Sequence, residues 1–502
     1  MTEAQAGGQK GRATVDHLIR LNDTIQIIRN NRKPAFVAFL DVSKAYDKAW
    51  LDAILYVMYK EGTELAMWKI IKELNSNLTA RLKTKYGRTR QINIKDSIRQ
   101  GGVLSVIQYA LIMDEINKEI TRQKAGPILI NTNEHIGCLL WMDDVALVAD
   151  NAEDLQNMLN ITYDVANKYH IEFGMAKSKI LKIGKGKENP NLYLGNDKLE
   201  YVQTYKYLGI TMNNKGNLEN HIKEIKKKTE AAYQTILAIM GNKCYNNVEL
   251  QTAWKLVETC IQPIITYGGE TWSLNKKEEK EINRIQENII RRILMVPQST
   301  PTESLYIETG LLDITTITTK NRLNMEKRLH KHPERLATKI MEIGTKGGWK
   351  DKTTKMKTTI NPEMETITAS DINKKYANKI NTMAEGKTKT QFLLSNTAWK
   401  PGIRPNYMNK LTRMEASAIF KARTRMIDVK NNFRGKYNDT KCRKCDAETE
   451  TQEHILEECP GIHKDNSTKV TRNDIFQDEH TALKATIGKI THIMKILDEQ
   501  TK

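Results

Sequence analysis

The sequence predicts an α+β fold over residues 1–212 and a mostly helical chain after it. Three observations carry this. Short apolar runs of strand length, "AFVAFLDV" (35–42) and "CLLWMDDVALVAD" (138–150), alternate with helical stretches in the first part. Further short apolar runs, "ILKIG" (180–184) and "YKYLGITM" (205–212), close that part. Beyond residue 212 apolar residues step by three and four.

Taken in order, residues 35–42 follow Pro34 and predict a buried strand ending at Asp41. Residues 51–79 predict helix, and 138–150 a strand, a tight turn and a strand, with Asp143 and Asp144 at the turn. Ile222, Ile225, Thr229, Ala232, Ile236 and Ile239 then mark one helix face, with Lys223, Lys226 and Lys227 on others. "EEKEINRIQENIIRRIL" repeats the pattern at Ile282, Ile285, Ile289 and Ile293. Residues 344–400 are Lys/Thr-rich and weakly periodic, which predicts a linker or a loosely packed basic region.

The chain has 502 residues and a formal net charge of +19, so nucleic acid is the first partner to expect. No apolar run approaches the ~18 residues of a membrane helix, and no membrane partner is expected. "MTEAQAGGQKGRATVDH" carries no signal-peptide core, which points to an intracellular protein. Six cysteines in a chain of this length do not make a disulfide scaffold.

Two adjacent carboxylates between apolar runs are costly to bury unless a cation neutralises them. Taken alone, Asp143–Asp144 also reads as an ordinary polar turn. With Asp41 at another strand end, three carboxylates suit two Mg²⁺, which take oxygen ligands and share substrate phosphates. Two such ions ~3.5–4 Å apart assist in-line phosphoryl displacement.

Near the C-terminus "CRKCDAETETQEHILEEC" gives C-x2-C-x8-H-x4-C, with Cys442, Cys445, His454 and Cys459. Three thiolates and an imidazole suit one tetrahedral, structural Zn²⁺. His463 is a rival fourth ligand. The preceding "FKARTRMIDVKNNFRGKY" interleaves cations with Phe433 and Tyr437, a composition suited to RNA.

Read together and in order, "QAGGQKGRATVDH" (5–17), "FLDVSKAYDKAW" (39–50), "RQGGVLS" (99–105), "WMDDVALVAD" (141–150), "FGMAKSKILKIG" (173–184) and "YKYLG" (205–209) resemble the motifs of reverse transcriptases of LINE-type (non-LTR) retrotransposons. The resemblance continues through "YGGETWSLNKKEEKEINRIQENIIRRIL" (267–294), which is similar to the thumb-side region, and through the Cys/His cluster, whose spacing matches with His454. It implies a right-hand polymerase palm with partial fingers (1–212), a helical thumb-like region (213–330), a basic, partly flexible connector (331–434), a CCHC zinc knuckle (435–466) and a helical tail (467–502).

The same resemblance implies residue roles. Asp41 and Asp143 correspond to the metal-binding carboxylates and Asp144 to a supporting charge. Tyr46 corresponds to the steric gate against a ribose 2′-OH. Gln100 and Gly101 correspond to the segment under the incoming nucleotide and template base. Lys177 corresponds to the lysine that protonates departing pyrophosphate, with Lys179 close by as a competing register. Arg12 is a candidate phosphate contact. Residues 207–209, "YLG", correspond to the hairpin that grips the primer end.

The sequence departs from the family at Trp141–Met142 before the aspartates, at Ser105–Val106 and at Gly8. The upstream fingers motifs and an endonuclease have no counterpart, so a 5′-truncated copy is expected. The expected function is RNA-directed DNA polymerisation. It uses an RNA template, a DNA primer or target, dNTPs, two Mg²⁺ and one structural Zn²⁺, in a nuclear and cytoplasmic ribonucleoprotein. The alternative is a catalytically silent remnant that only binds nucleic acid.

Overall fold

The computed structural model describes residues 1–499 apart from 77, 95–96, 130–133, 185, 187–188, 241–249, 365, 434, 447 and 465, and only the backbone of 239, 240 and 466. The expected core position Ile239 therefore lies outside the described side chains. The chain forms two compact units whose bounds cut across the five sequence segments. One comprises residues 1–221, 270–273 and 322–356, the other 222–269, 274–321 and 357–502.

The first unit is built on a five-stranded sheet. Helix α1 (Thr14–Asn30) leads into β1 (Ala35–Asp41). Then come α2 (Leu51–Lys60), α3 (Leu65–Asn75) and α4 (Ser105–Arg122). The hairpin β2 (Cys138–Trp141) and β3 (Asp144–Ala149) follows, then α5 (Ala152–Lys168), β4 (Lys179–Ile183) and β5 (Glu200–Val202). The spatial order is β5-β4-β1-β3-β2. All neighbours are antiparallel except β4 and β5, which run parallel.

β1 lies inside the sheet, and both its faces are covered. Phe36, Ala38 and Leu40 join a core with residues of α2, α4 and α5, while Val37 and Phe39 join another with Leu18, Leu21 and Ile25 of α1. That explains why this strand reads as an unbroken apolar run although alternate residues face opposite ways. The second core also takes in Tyr207 and Ile210 of the hairpin formed by β6 (Thr204–Tyr207) and β7 (Ile210–Asn213). Its two turn residues, Leu208 and Gly209, have φ of 44° and 85°, the hand that suits a tight two-residue hairpin.

Two features of this unit were not visible in the sequence. Residues 79–93 form a small two-stranded ribbon. Thr79–Ala80 pairs with Ile92–Asn93, and Lys83–Thr84 with Gly87–Arg88. Second, residues 322–356 return to α1. Met325, Leu329, Ala337, Met341 and Trp349 bury Ile19. Trp349 N–H donates to Asp23 at 2.7 Å. Arg322 donates to Thr353 Oγ1 and to the carbonyls of Trp272 and Trp349.

The second unit is mainly helical. In the helix Glu219–Met240, Ile222, Ile225, Thr229 and Ile236 are buried as the spacing predicts, whereas Ala232 gives its core place to Tyr233. Lys223, Lys226 and Lys227 are exposed. In Lys276–Ile293, which Asn275 caps, Ile282, Ile285, Ile289 and Ile293 are buried. Much of the stretch 344–400, expected to be loose, is helical: Trp349–Ile360, most of which belongs to the first unit, and Ala369–Ala384 and Thr388–Ser395 in the second. A sparse stripe suffices there, since Ile372, Tyr376, Ile380 and Ala384 recur every four residues and are all buried.

Candidate active site

The strand ends of the first unit bring the three predicted carboxylates together. Asp41 ends β1 and Asp144 begins β3, and the two are direct cross-strand partners. Asp143 sits in the two-residue turn between Trp141 and Asp144, after Met142. Met142 adopts φ of 57°, which is costly for a side chain larger than glycine.

Gln5 supports that turn. Its segment lies along β2, with Leu140 N–H donating to the Ala4 carbonyl at 2.9 Å and Ala6 N–H to the Leu140 carbonyl at 3.0 Å. The fully buried Gln5 side chain then accepts at Oε1 from Met142 N–H at 3.1 Å and from Gly7 N–H at 2.9 Å. A Cβ on Gly7 would lie 2.5 Å from Met142 N, so this approach needs glycine. His17 adds a ring contact to Trp141 at 5.6 Å and a hydrogen bond to the Leu140 carbonyl at 2.7 Å.

The electrostatics of the trio are those of crowded, part-buried acids. Burial first, then Asp143 and Asp41, push Asp144 up to about 6. Burial and Asp41 also raise Asp143, against the opposing pull of Lys177. Lys177 Nζ lies 3.4 Å from Asp41 Oδ2 and is 74% exposed, so a substrate can draw it away at little cost. Ser178 Oγ accepts from Asp41 N–H at 3.2 Å, and Gly174 N–H donates to the Asp41 carbonyl at 2.7 Å.

Aromatic residues line the same place. Tyr46 stacks on buried Tyr109 with ring centroids 5.3 Å apart. Its hydroxyl is held above its usual value by burial and by Asp143. Tyr205 of β6 stacks flat on Phe39 at 4.3 Å and donates to the Lys177 carbonyl at 3.2 Å. Burial, with Asp144 and Asp41, raises its hydroxyl to about 12.

Gln100 and Gly101 form an exposed turn, in which Gly101 has φ of 81° and no heavy atom within 4 Å of where a Cβ would stand. The turn is tied back to the site by Ile98 N–H, which donates to the Tyr46 carbonyl at 3.0 Å. Arg12 pairs with Glu3 and is largely buried. Sequence reasoning gave no part to Gln5, Ser178 or Tyr205. Each lies inside one of the ordered motifs, but its role depends on contacts made far along the chain.

The trio is an oxygen-only donor set on strand ends, with repelling charges and an exposed lysine as the nearby cation. That composition fits Mg²⁺. Residues 1–212 match the family described as reverse transcriptase (RNA-dependent DNA polymerase). They are a reverse transcriptase domain. Its relatives include the RNA-directed DNA polymerase from mobile element jockey of Drosophila melanogaster, 22% identical over 67% of this chain and 37% of that protein. The Pol polyprotein from retrotransposable element R2 of Nasonia vitripennis is 26% identical over 44% of this chain and 23% of that protein. The chain thus spans well under half the length of these relatives. Apo telomerase from Candida tropicalis overlaps with a TM-score of 0.35 at 12% identity, over 77% of this chain and 56% of that one. Among the described residues no helix is long and apolar enough to cross a membrane.

In the second unit Cys442, Cys445, His454 and Cys459 converge, their ligand atoms all within 4.8 Å of one another. Cys442 and Cys459 sulfurs are 3.6 Å apart, and Cys445 Sγ is 3.4 Å from His454 Nε2. Burial, then the Cys442 thiol, raises Cys459 to about 12, a cost that a divalent cation would remove. His454 Nδ1 sits 3.1 Å from a Glu448 carboxylate oxygen. His463 is committed elsewhere, to the Ile455 carbonyl and Thr468. The cluster is packed into its unit, with Gln452 Nε2–H donating to the Ala422 carbonyl at 2.7 Å and Val470 N–H to the Leu456 carbonyl at 2.9 Å.

Proposed function

We propose that the chain is the polymerase portion of a non-LTR retrotransposon protein, extending a DNA primer on an RNA template with dNTPs. The observation that carries this is the convergence of Asp41, Asp143 and Asp144 at adjoining strand ends, with Asp144 raised to about 6. Bound Mg²⁺, held by Asp41 and Asp143 with Asp144 as a supporting charge, would supply activation of the primer 3′-OH and stabilisation of the leaving oxygen.

The chain's own groups do the rest. Tyr46, stacked on Tyr109, presents a rigid ring that crowds a ribose 2′-OH. Lys177, released from Asp41, donates a proton to the departing pyrophosphate. Gly101, with open space at its Cβ position, lets the backbone approach a base pair. The hairpin of β6 and β7, stacked on Phe39 through Tyr205, supports the primer end. In the second unit Cys442, Cys445, His454 and Cys459 hold one structural Zn²⁺ with no open coordination position.

The test is extension of oligo(dT) on poly(rA) with dTTP and Mg²⁺. Asp143→Ala should lower the rate by several orders of magnitude while RNA binding persists. A variant as active as the parent would remove the carboxylates from the chemistry. A parent that binds RNA with no extension would favour a silent nucleic-acid-binding protein.

A further inference from the structure

Residues 78–94 hold Arg81, Lys83, Lys85, Arg88 and Arg90 and no acidic residue. Among the described residues no carboxylate lies within ion-pair distance of any of the five. They stand on the ribbon Thr79–Asn93, where every residue from 81 to 88 is exposed. Tyr86, at the turn between Lys83–Thr84 and Gly87–Arg88, is 87% exposed, and Leu82 is 61% exposed. Lys85 Nζ sits 4.8 Å from the centre of the Tyr86 ring.

A two-stranded ribbon with both faces in water is marginal by itself, because it buries too little apolar surface. Five cations of one sign raise that cost further. The tip adds an aromatic face open to stacking. A row of cations beside an open aromatic ring is the chemistry that holds single-stranded nucleic acid: phosphates on the charges, a base on the ring. A duplex offers the charges its backbone but keeps its bases stacked away from Tyr86. The ribbon is about 20 Å long at the rise of a strand. Five residues beyond the outgoing strand Ile92–Asn93, Ile98 is 1% exposed and donates its N–H to the Tyr46 carbonyl at 3.0 Å, and Gln100 and Gly101 follow it. One end is therefore tethered beside the carboxylates.

We propose that this ribbon holds the unpaired template strand as it approaches the active site, an inference that rests on the polymerase reading above. Lys83, Lys85 and Arg88 contact phosphates and Tyr86 stacks on an unpaired base.

The experiment measures binding of the full chain, without dNTP, to a labelled primer–template with a long 5′ template overhang and to its blunt counterpart. Lys83→Gln/Lys85→Gln/Arg88→Gln should lower affinity for the overhang substrate roughly a hundred-fold at about 0.1 M salt. It should also flatten the log–log salt slope by about 2, since each lost single-strand phosphate contact is worth about 0.7. Tyr86→Ala should lower that affinity about ten-fold with the slope unchanged. Blunt-duplex binding should stay as in the parent for both. Equal losses on both substrates would make the ribbon a duplex contact, and no loss on either would leave it to an acidic protein partner; each overturns the proposal. A parent that binds the overhang but never extends a primer sinks the polymerase reading alone. A parent that extends, with variants that bind as it does, sinks this one alone.

Discussion

Replacing Asp144 by Asn should stabilise the metal-free protein at neutral pH. The folded-state pKa of Asp144 is about 6, against an ordinary value of 3.8, with burial as the first cause and Asp143 and Asp41 next. The folded state therefore binds more protons than the unfolded state between about pH 4 and 6, and stability falls as pH rises through that window. Above it the full penalty is present. Ionising a carboxyl raised this far costs at most about 3 kcal/mol. Partial access of water to the turn reduces this to about 1–2 kcal/mol. At roughly 2–4 °C per kcal/mol for a unit of this size, Asp144→Asn should raise the melting transition of the first unit by several degrees at about pH 7.5. At about pH 4 it should change little, because the native acid is already protonated there. Mg²⁺ should raise the parent's Tm and narrow the gap to the variant. Thermal scans followed by circular dichroism across this pH range provide the assay. An unchanged Tm at neutral pH, or an equal gain in acid, would refute the claim that buried like charges strain this turn.

Two further outcomes follow from the geometry. Gln5→Met keeps length and volume but leaves the N–H groups of Met142 and Gly7 without their acceptor. It should cost about 1–3 kcal/mol in stability and raise the Mg²⁺ concentration for half-maximal primer extension; an unchanged Mg²⁺ requirement would show that the turn holds itself. Co²⁺ added to the zinc-depleted full chain should give intense visible bands that vanish in Cys442→Ser, with the metal raising the Tm of the second unit. Only weak octahedral absorbance would exclude the tetrahedral Cys/His site.

What could be read from the sequence follows the range of each interaction. The strands at 35–41 and 138–149 show themselves because a covered sheet demands apolar runs, and Asp143–Asp144 because charge inside such a run demands a reason. The pairing of Asp41 with Asp144 is a matter of register across about a hundred residues, and only the motif order hinted at it. Gln5 falls within a motif yet gave no sign of its role, since its partner Met142 is 137 residues away. The helix Ala369–Ala384 hid for a different reason. Four buried residues specify it, and the lysines and asparagines between them dilute any window average.

The return of residues 322–356 to α1 has a consequence for biosynthesis. The strands that carry the carboxylates and the hairpin beside them are complete once residue 213 has been made, but the surface of α1 around Ile19 stays bare until Met325, Leu329 and Trp349 arrive. At 5–20 residues per second, that is a delay of roughly seven to thirty seconds. During it the nascent palm carries an uncovered apolar face and an Asp23 still waiting for the Trp349 amide. A ribosome-bound intermediate of this kind is a natural client for chaperones. A gene fragment ending at the last palm strand would express that intermediate as its final product.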